Sequence, residues 1–215
     1  MNKKQKYIYV IISKTMTIPG RVIRKFTGGQ YSHASISLDK NLNEIYSFAR
    51  LNYYSPLIAG FIRESVSSLS LGKEEGVDVK LYKIPVTNYQ FRSIKRTIER
   101  FKENSDKYLY NILALVLFPV TEFNVRDTYI CTEFVAKTLA NAKIKPDKLM
   151  KNRITPKEII DALKEYEIYS GSLNEYVKKL SHEDYDGDFF KRENKFYIIA
   201  KSIKRIGILI YRKII

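Results

Sequence analysis

Cys131 and His33 are the residues with which this chain could do covalent chemistry. The sequence of 215 residues has one cysteine and two histidines, and a thiol attacking a carbonyl needs an imidazole or another base beside it. Cys131 lies in "VRDTYICTEFVAKTL", residues 125–139, where an irregular stretch leads into a helix beginning near the cysteine. At a helix start, the positive end of the macrodipole and the first backbone N–H groups favour an anionic sulfur and can stabilise an oxyanion. His33 lies in "GGQYSHASISL", residues 28–38, at the mouth of a strand, where its ring can project from the sheet edge toward a helix end. Each residue alone has an ordinary explanation. A lone cysteine in a helix is usually a small buried hydrophobe, and a histidine beside glycines is usually solvated.

The elements that must position this pair follow from periodicity. Residues 6–13 and 33–38 read as strands, and 44–50 return after the polar turn "DKNLN", so 33–50 reads as a β-hairpin. "VDVKLYKI", 77–84, alternates at period two and is ended by Pro85. Thr87 and Gln90 form a capping pair ahead of an amphipathic helix carrying Phe91, Ile94, Ile98 and Phe101. A helix is expected over 131–142, and another over 155–166, with Thr155 and Glu158 as capping box and Pro156 at its first position. The apolar run 108–120 is shorter than the ~20 residues that span a bilayer and reads as a buried helix. The apolar core of the N-terminus, 7–12, falls below the ~7–15 residues of a signal peptide, and no small-residue cleavage site follows. A cytoplasmic location is expected. The architecture expected is a single α+β domain with a helical C-terminal extension.

"YSHASISLD" followed by "YICTEFVAKTL" resembles the circularly permuted branch of the NlpC-type papain-like superfamily, which includes lecithin retinol acyltransferase-like and YiiX-like bacterial proteins. The matching elements are Ser32-His33-Ala34-Ser35-Ile36 and Cys131-Thr132-Glu133-Phe134-Val135, with "YSFAR" (46–50) and "LIAGFIRE" (57–64) also similar. The likeness covers about residues 5–165. It implies a papain-like antiparallel sheet packed on helices over 1–170; residues 171–215 read as an extension packed on the same domain or on a membrane surface. It further implies Cys131 as nucleophile, His33 as general base, and the backbone N–H of Cys131 or Thr132 as oxyanion donor. The activity implied is that of a thiol hydrolase, amidase- or peptidase-like, or an acyltransferase.

Such families often orient the histidine with a polar residue on the return strand. If "DKNLN" is the loop, Leu38 faces Glu44 and His33 faces Ala49; moving the turn by one residue puts Ser47 opposite His33. Opposed residues share a sheet face. Glu44 is the better partner chemically but lies several rows away, on the order of 10 Å at ~3.3 Å per residue. Ser47 therefore ranks ahead of Glu44, and a dyad without a third residue stays open. Gly28 and Gly29 either let the chain pass close to the cysteine helix or form an ordinary turn. Gln30 and Tyr31 are candidate site-lining residues.

Lys and Arg outnumber Asp and Glu by 38 to 23, a net charge of +15 that favours anionic partners without choosing among them. No nucleic-acid module is recognisable, so nucleic acid is unsupported as a partner. One cysteine excludes an intramolecular disulfide and a cysteine zinc cluster. "DYDGD", 184–188, fails as a calcium loop, because the position for the bidentate acid is Lys195. His182 has no second ligand at metal-site spacing and reads as a solvated loop residue. Neither a cofactor nor a metal is called for. The expected substrate is a small-molecule, lipid or peptide acyl compound.

In the tail, residues 195–215, Ile199, Ile203, Ile206, Ile210 and Ile214 cluster on one helical side and Lys201, Lys204, Arg205 and Arg212 on the other. Such a helix either lies on an anionic membrane or caps the protein's own core, and a strand is also open for 196–199. The competing functional class is a non-catalytic, membrane-associated binding protein on the same scaffold.

Overall fold

The computed structural model describes residues 5–214 except 18–19, 22–23, 26–27, 56, 113, 115–124, 152 and 186. Eight strands form one mixed sheet: β1 (Lys6–Ser13), β2 (His33–Ser37), β3 (Ile45–Arg50), β4 (Ala59–Glu64), β5 (Asp78–Val86), β6 (Leu109–Tyr110), β7 (Thr128–Tyr129) and β8 (Glu167–Ser172). Their order is β7-β6-β4-β3-β2-β1-β5-β8. Every pairing is antiparallel except β6 with β7. The described helices are α1 (Val66–Ser70), α2 (Asn88–Glu103), α3 (Cys131–Asn141), α4 (Pro146–Leu149), α5 (Pro156–Leu163), α6 (Leu173–Val177) and α7 (Lys195–Ile214). The fold is α+β.

The central strands are apolar on both faces because both faces are covered. Ile8, Val10 and Ile12 of β1 join Ala34, Ile36 and Phe48 beneath Ile94 and Ile98 of α2 and Phe134, Val135 and Leu139 of α3. On the other face Tyr9 and Ile11 meet Ile45, Val79, Leu81, Val66 and Leu69 of α1, and Leu173 of α6. The expected capping boxes are present at Thr87/Gln90 and Thr155/Glu158.

Several boundaries differ from expectation. β5 runs through Pro85 to Val86. Its pairing with β8 stops at Tyr82, so the missing N–H of Pro85 costs no bond on that side. The final turn of the helix expected over 155–166 tightens into a 3₁₀ segment, Lys164–Tyr166. Of the helix expected over 108–120, Leu109 and Tyr110 form β6 instead, and 115–120 lie outside the described residues. No described helix is long and apolar enough to cross a membrane.

The C-terminal extension is fastened to the sheet domain. Asn52 Nδ2 donates to the Lys191 carbonyl (2.7 Å), and Tyr53 N donates to Phe189 O (2.8 Å). His182 is not solvated: its side chain is 9% exposed, held between the Asn41 carbonyl (2.8 Å) and Asp184 (3.2 Å). Asp184 caps α1, accepting from the N–H of Val66 (2.7 Å) and Ser67 (2.9 Å) and from the Ser67 hydroxyl. An Asp184→Ala variant is therefore expected to lose about 0.5–2 kcal/mol in urea unfolding, the usual range for a deleted helix cap.

Candidate active site

His33 opens β2 and is buried. Its Nε2–H donates to both carboxylate oxygens of Glu64, Oε1 at 2.9 Å and Oε2 at 3.1 Å. The Ser35 hydroxyl lies 3.2 Å from the same nitrogen and donates to Glu64 Oε2 at 2.6 Å. The ring thus runs back over Ser35, two residues along its own strand, to an acid at the end of β4. Cys131, 2% exposed, is the first residue of α3 and interacts with both the His33 ring and the Tyr110 hydroxyl.

The structure brings His33 and Cys131 together and gives His33 a partner other than those expected. The β2–β3 ladder holds Ile36↔Tyr46 and Ser37↔Ile45, the register in which Leu38 faces Glu44, and it ends at Ile36. Ser47 is thus not paired with His33. It pairs with Ile62 of β4, and its buried hydroxyl bears on the Glu64 charge without a hydrogen bond of ordinary geometry. Glu44 is exposed beyond the start of β3. Glu64 stands in the same row as Ile45 and Ser37, as distant along the sheet as the argument against Glu44 assumed. It reaches His33 because the imidazole and carboxylate close the gap between them over a serine too small to block it.

Burial alone would discharge both groups. Burial pushes the His33 pKa down, but the Glu64 carboxylate, and then Cys131, outweigh it and hold the imidazole well above its ordinary value. Burial likewise pushes Glu64 up, and His33, with the hydrogen bonds from His33 and Ser35, brings it below the usual glutamate value. The pair is a buried imidazolium–carboxylate. Burial and the neighbouring Cys131 raise the Tyr110 hydroxyl well above the ordinary tyrosine range, so it remains a donor.

Local structure explains these placements. α3 starts after Ile130, which offers no side-chain cap; Glu133 reaches back to the Ile130 N–H (3.2 Å). As the first helical residues, Cys131 and Thr132 have N–H groups without intrahelical acceptors. The Thr132 side chain is buried. The stretch before β2 is tied down by Arg24, whose Nη1 donates to Thr15 O (2.6 Å) and Ser32 Oγ (3.1 Å). Gly28 has φ +63° with open space where a side chain would sit, so a turn and not a close approach requires glycine there. Gln30 is exposed, and Tyr31 packs against the core under the α2 and α3 layer. Neither borders the cleft beside His33.

That cleft, about 80 Å³ in volume, is bordered by His33, Glu64 and Tyr110, by hydroxyl-bearing Thr15 and Ser32, and by apolar Phe48, Leu69 and Phe189. Compared with known proteins, the chain matches no family model, no curated protein and no solved structure.

Sequence reasoning missed Glu64 and Tyr110. Glu64 left a faint signal, since it continues the Gly60–Ile62 alternation of an apolar strand with a charge. Tyr110 left none: its place depends on the parallel β6–β7 pair, which no local pattern announces.

Proposed function

We propose that the protein is a cysteine-dependent hydrolase or acyltransferase acting on an amide, ester or thioester carbonyl, on a permuted NlpC-type papain-like scaffold. The observation that carries this reading is His33 standing between Glu64 and a thiol at the first residue of a helix. With Nε2 committed to Glu64 and Ser35, Nδ1 is the nitrogen that holds the second proton of the imidazolium, the one given up by Cys131. The sulfur attacks the carbonyl carbon as a thiolate while that proton stays on His33. The oxyanion takes hydrogen bonds from the N–H of Cys131 or Thr132 and from the Tyr110 hydroxyl. As the tetrahedral intermediate collapses, His33 protonates the leaving group and an acyl thioester remains. His33 then deprotonates water, or another acceptor, which releases the acyl group and frees the thiol. Glu64 fixes the ring and stabilises its charge without touching substrate. The apolar wall of the cleft suits an acyl portion.

The test is alkylation by iodoacetamide, small enough to reach a nearly buried sulfur. Cys131 of the native protein is expected to react faster near neutral pH than it does after unfolding. Tyr110→Phe is expected to keep that reactivity while slowing hydrolysis of a p-nitrophenyl ester about 10-fold or more, since it removes one oxyanion donor. Native labelling no faster than unfolded labelling, together with no ester hydrolysis, would favour the non-catalytic binding protein.

A further inference from the structure

The tail helix α7 is docked with most of its apolar side turned away from the protein. Only Ser202 and Leu209 of its 20 residues are buried. Arg205 donates to the Ala59 carbonyl, and Arg212 Nη1 donates to Lys107 O at 3.0 Å, so the arginine side faces the sheet domain. The isoleucine side does not cap the core, one of the two alternatives that periodicity left open. Phe196 is 83% exposed, Ile199 55%, Ile203 66%, Ile210 48% and Ile214 79%. At 3.6 residues per turn these five fall within about 60° of arc. No other residue of the helix falls within that arc, and Gly207 and Ala200 border it on one side and Ile206 on the other, so no charge interrupts the stripe.

We propose that this stripe docks α7 into the interface of an anionic lipid bilayer, lying parallel to the surface. Charge selects this occupant. Residues 195–214 carry Lys195, Lys201, Lys204, Arg205, Arg212 and Lys213 and no acid. Lys195 flanks one edge of the stripe and Lys204 the other. Stacking two copies along their stripes would press lysine edges together, and like charges repel. An anionic headgroup layer receives the same edges as counter-ions, with the lysine stems snorkelling past the apolar face. The net charge of +15 acts in the same direction. This inference is independent of the chemistry proposed for Cys131.

The chain has no tryptophan, so Phe196→Trp supplies a single reporter on an exposed position. With vesicles of phosphatidylcholine containing about 30 mol % phosphatidylserine, its emission is expected to shift to the blue and to be quenched by brominated acyl chains. Pure phosphatidylcholine vesicles are expected to give neither effect. In co-sedimentation of the full chain, Ile203→Asn with Ile210→Asn is expected to lower partitioning at least about tenfold. Both side chains point outward, and circular dichroism checks that the helix survives. Lys195→Gln with Lys204→Gln, or raising salt from about 0.1 to 0.5 M, is expected to weaken binding to the anionic vesicles. An unshifted reporter, equal binding to neutral vesicles, or a dimer in light scattering that the asparagine variant converts to monomer would each overturn the proposal.

Discussion

A His33→Ala variant is expected to lose about 10²–10⁴-fold in ester hydrolysis, the usual contribution of a positioned general acid–base. The loss should fall on kcat, because the role proposed for His33 is proton transfer and the apolar walls Phe48, Leu69 and Phe189 remain. His33→Gln sharpens the test. Glutamine can still donate to Glu64 and fill much of the space, but it cannot shuttle a proton. It should therefore retain more stability than alanine and recover no activity. If either variant keeps its rate within about threefold of the parent, another group serves as base and the role given to His33 falls.

The second large effect is on stability. Glu64→Leu removes one partner of a buried ion pair and leaves His33 and the Ser35 hydroxyl without their acceptor. Breaking such a pair typically costs about 3–5 kcal/mol. The pH dependence has a definite sign. His33 is raised from its ordinary 6.5, so its contribution is complete below that value and fades as pH climbs through the raised folded-state value. Glu64 is lowered from its ordinary 4.5, so its contribution is complete above that value and is lost as pH falls through the lowered one. The stability gap between parent and Glu64→Leu should be widest between pH 4.5 and 6.5 and narrow on either side. Denaturant unfolding at several pH values measures it. Adding His33→Leu should recover part of the loss, because no unpaired charge then remains. A gap that is flat with pH, or a double variant as unstable as the sum of the single ones, would show that the pair is not ionised in the native protein.

Where a single segment decides its own structure, the sequence was enough. β1, the β2–β3 hairpin, the two capping boxes and the start of α3 at Cys131 are local matters of alternation, turn chemistry and caps. The site is different. His33 and Cys131 were recognisable as chemical types, but the partner of His33 depended on how far two side chains reach across three strands. Counting residues along a flat hairpin ruled out distant rows. Small Ser35 leaves room for the ring to fold back, so a distant row is where the acid lies. Tyr110 depended on a strand pairing of only two residues. In the tail, periodicity located both faces of α7 correctly but not which face the protein would use. The sequence left open whether the isoleucines cap the core or face a membrane, and the arginines decide it by finding backbone carbonyls at Ala59 and Lys107.

The short parallel pair also sets where this chain can be rewritten. Leu109↔Thr128 and Tyr110↔Tyr129 clamp both ends of the connection between them, and that clamp holds Tyr110 close to the helix that begins at Cys131. Closing a longer connection costs only about 0.6 kcal/mol per doubling of its length. Segments of different length and character could be grafted between the two strands while the tyrosine and thiol kept their relation. The pairing that holds the tyrosine beside the thiol is therefore separable from the length of chain that joins the two strands.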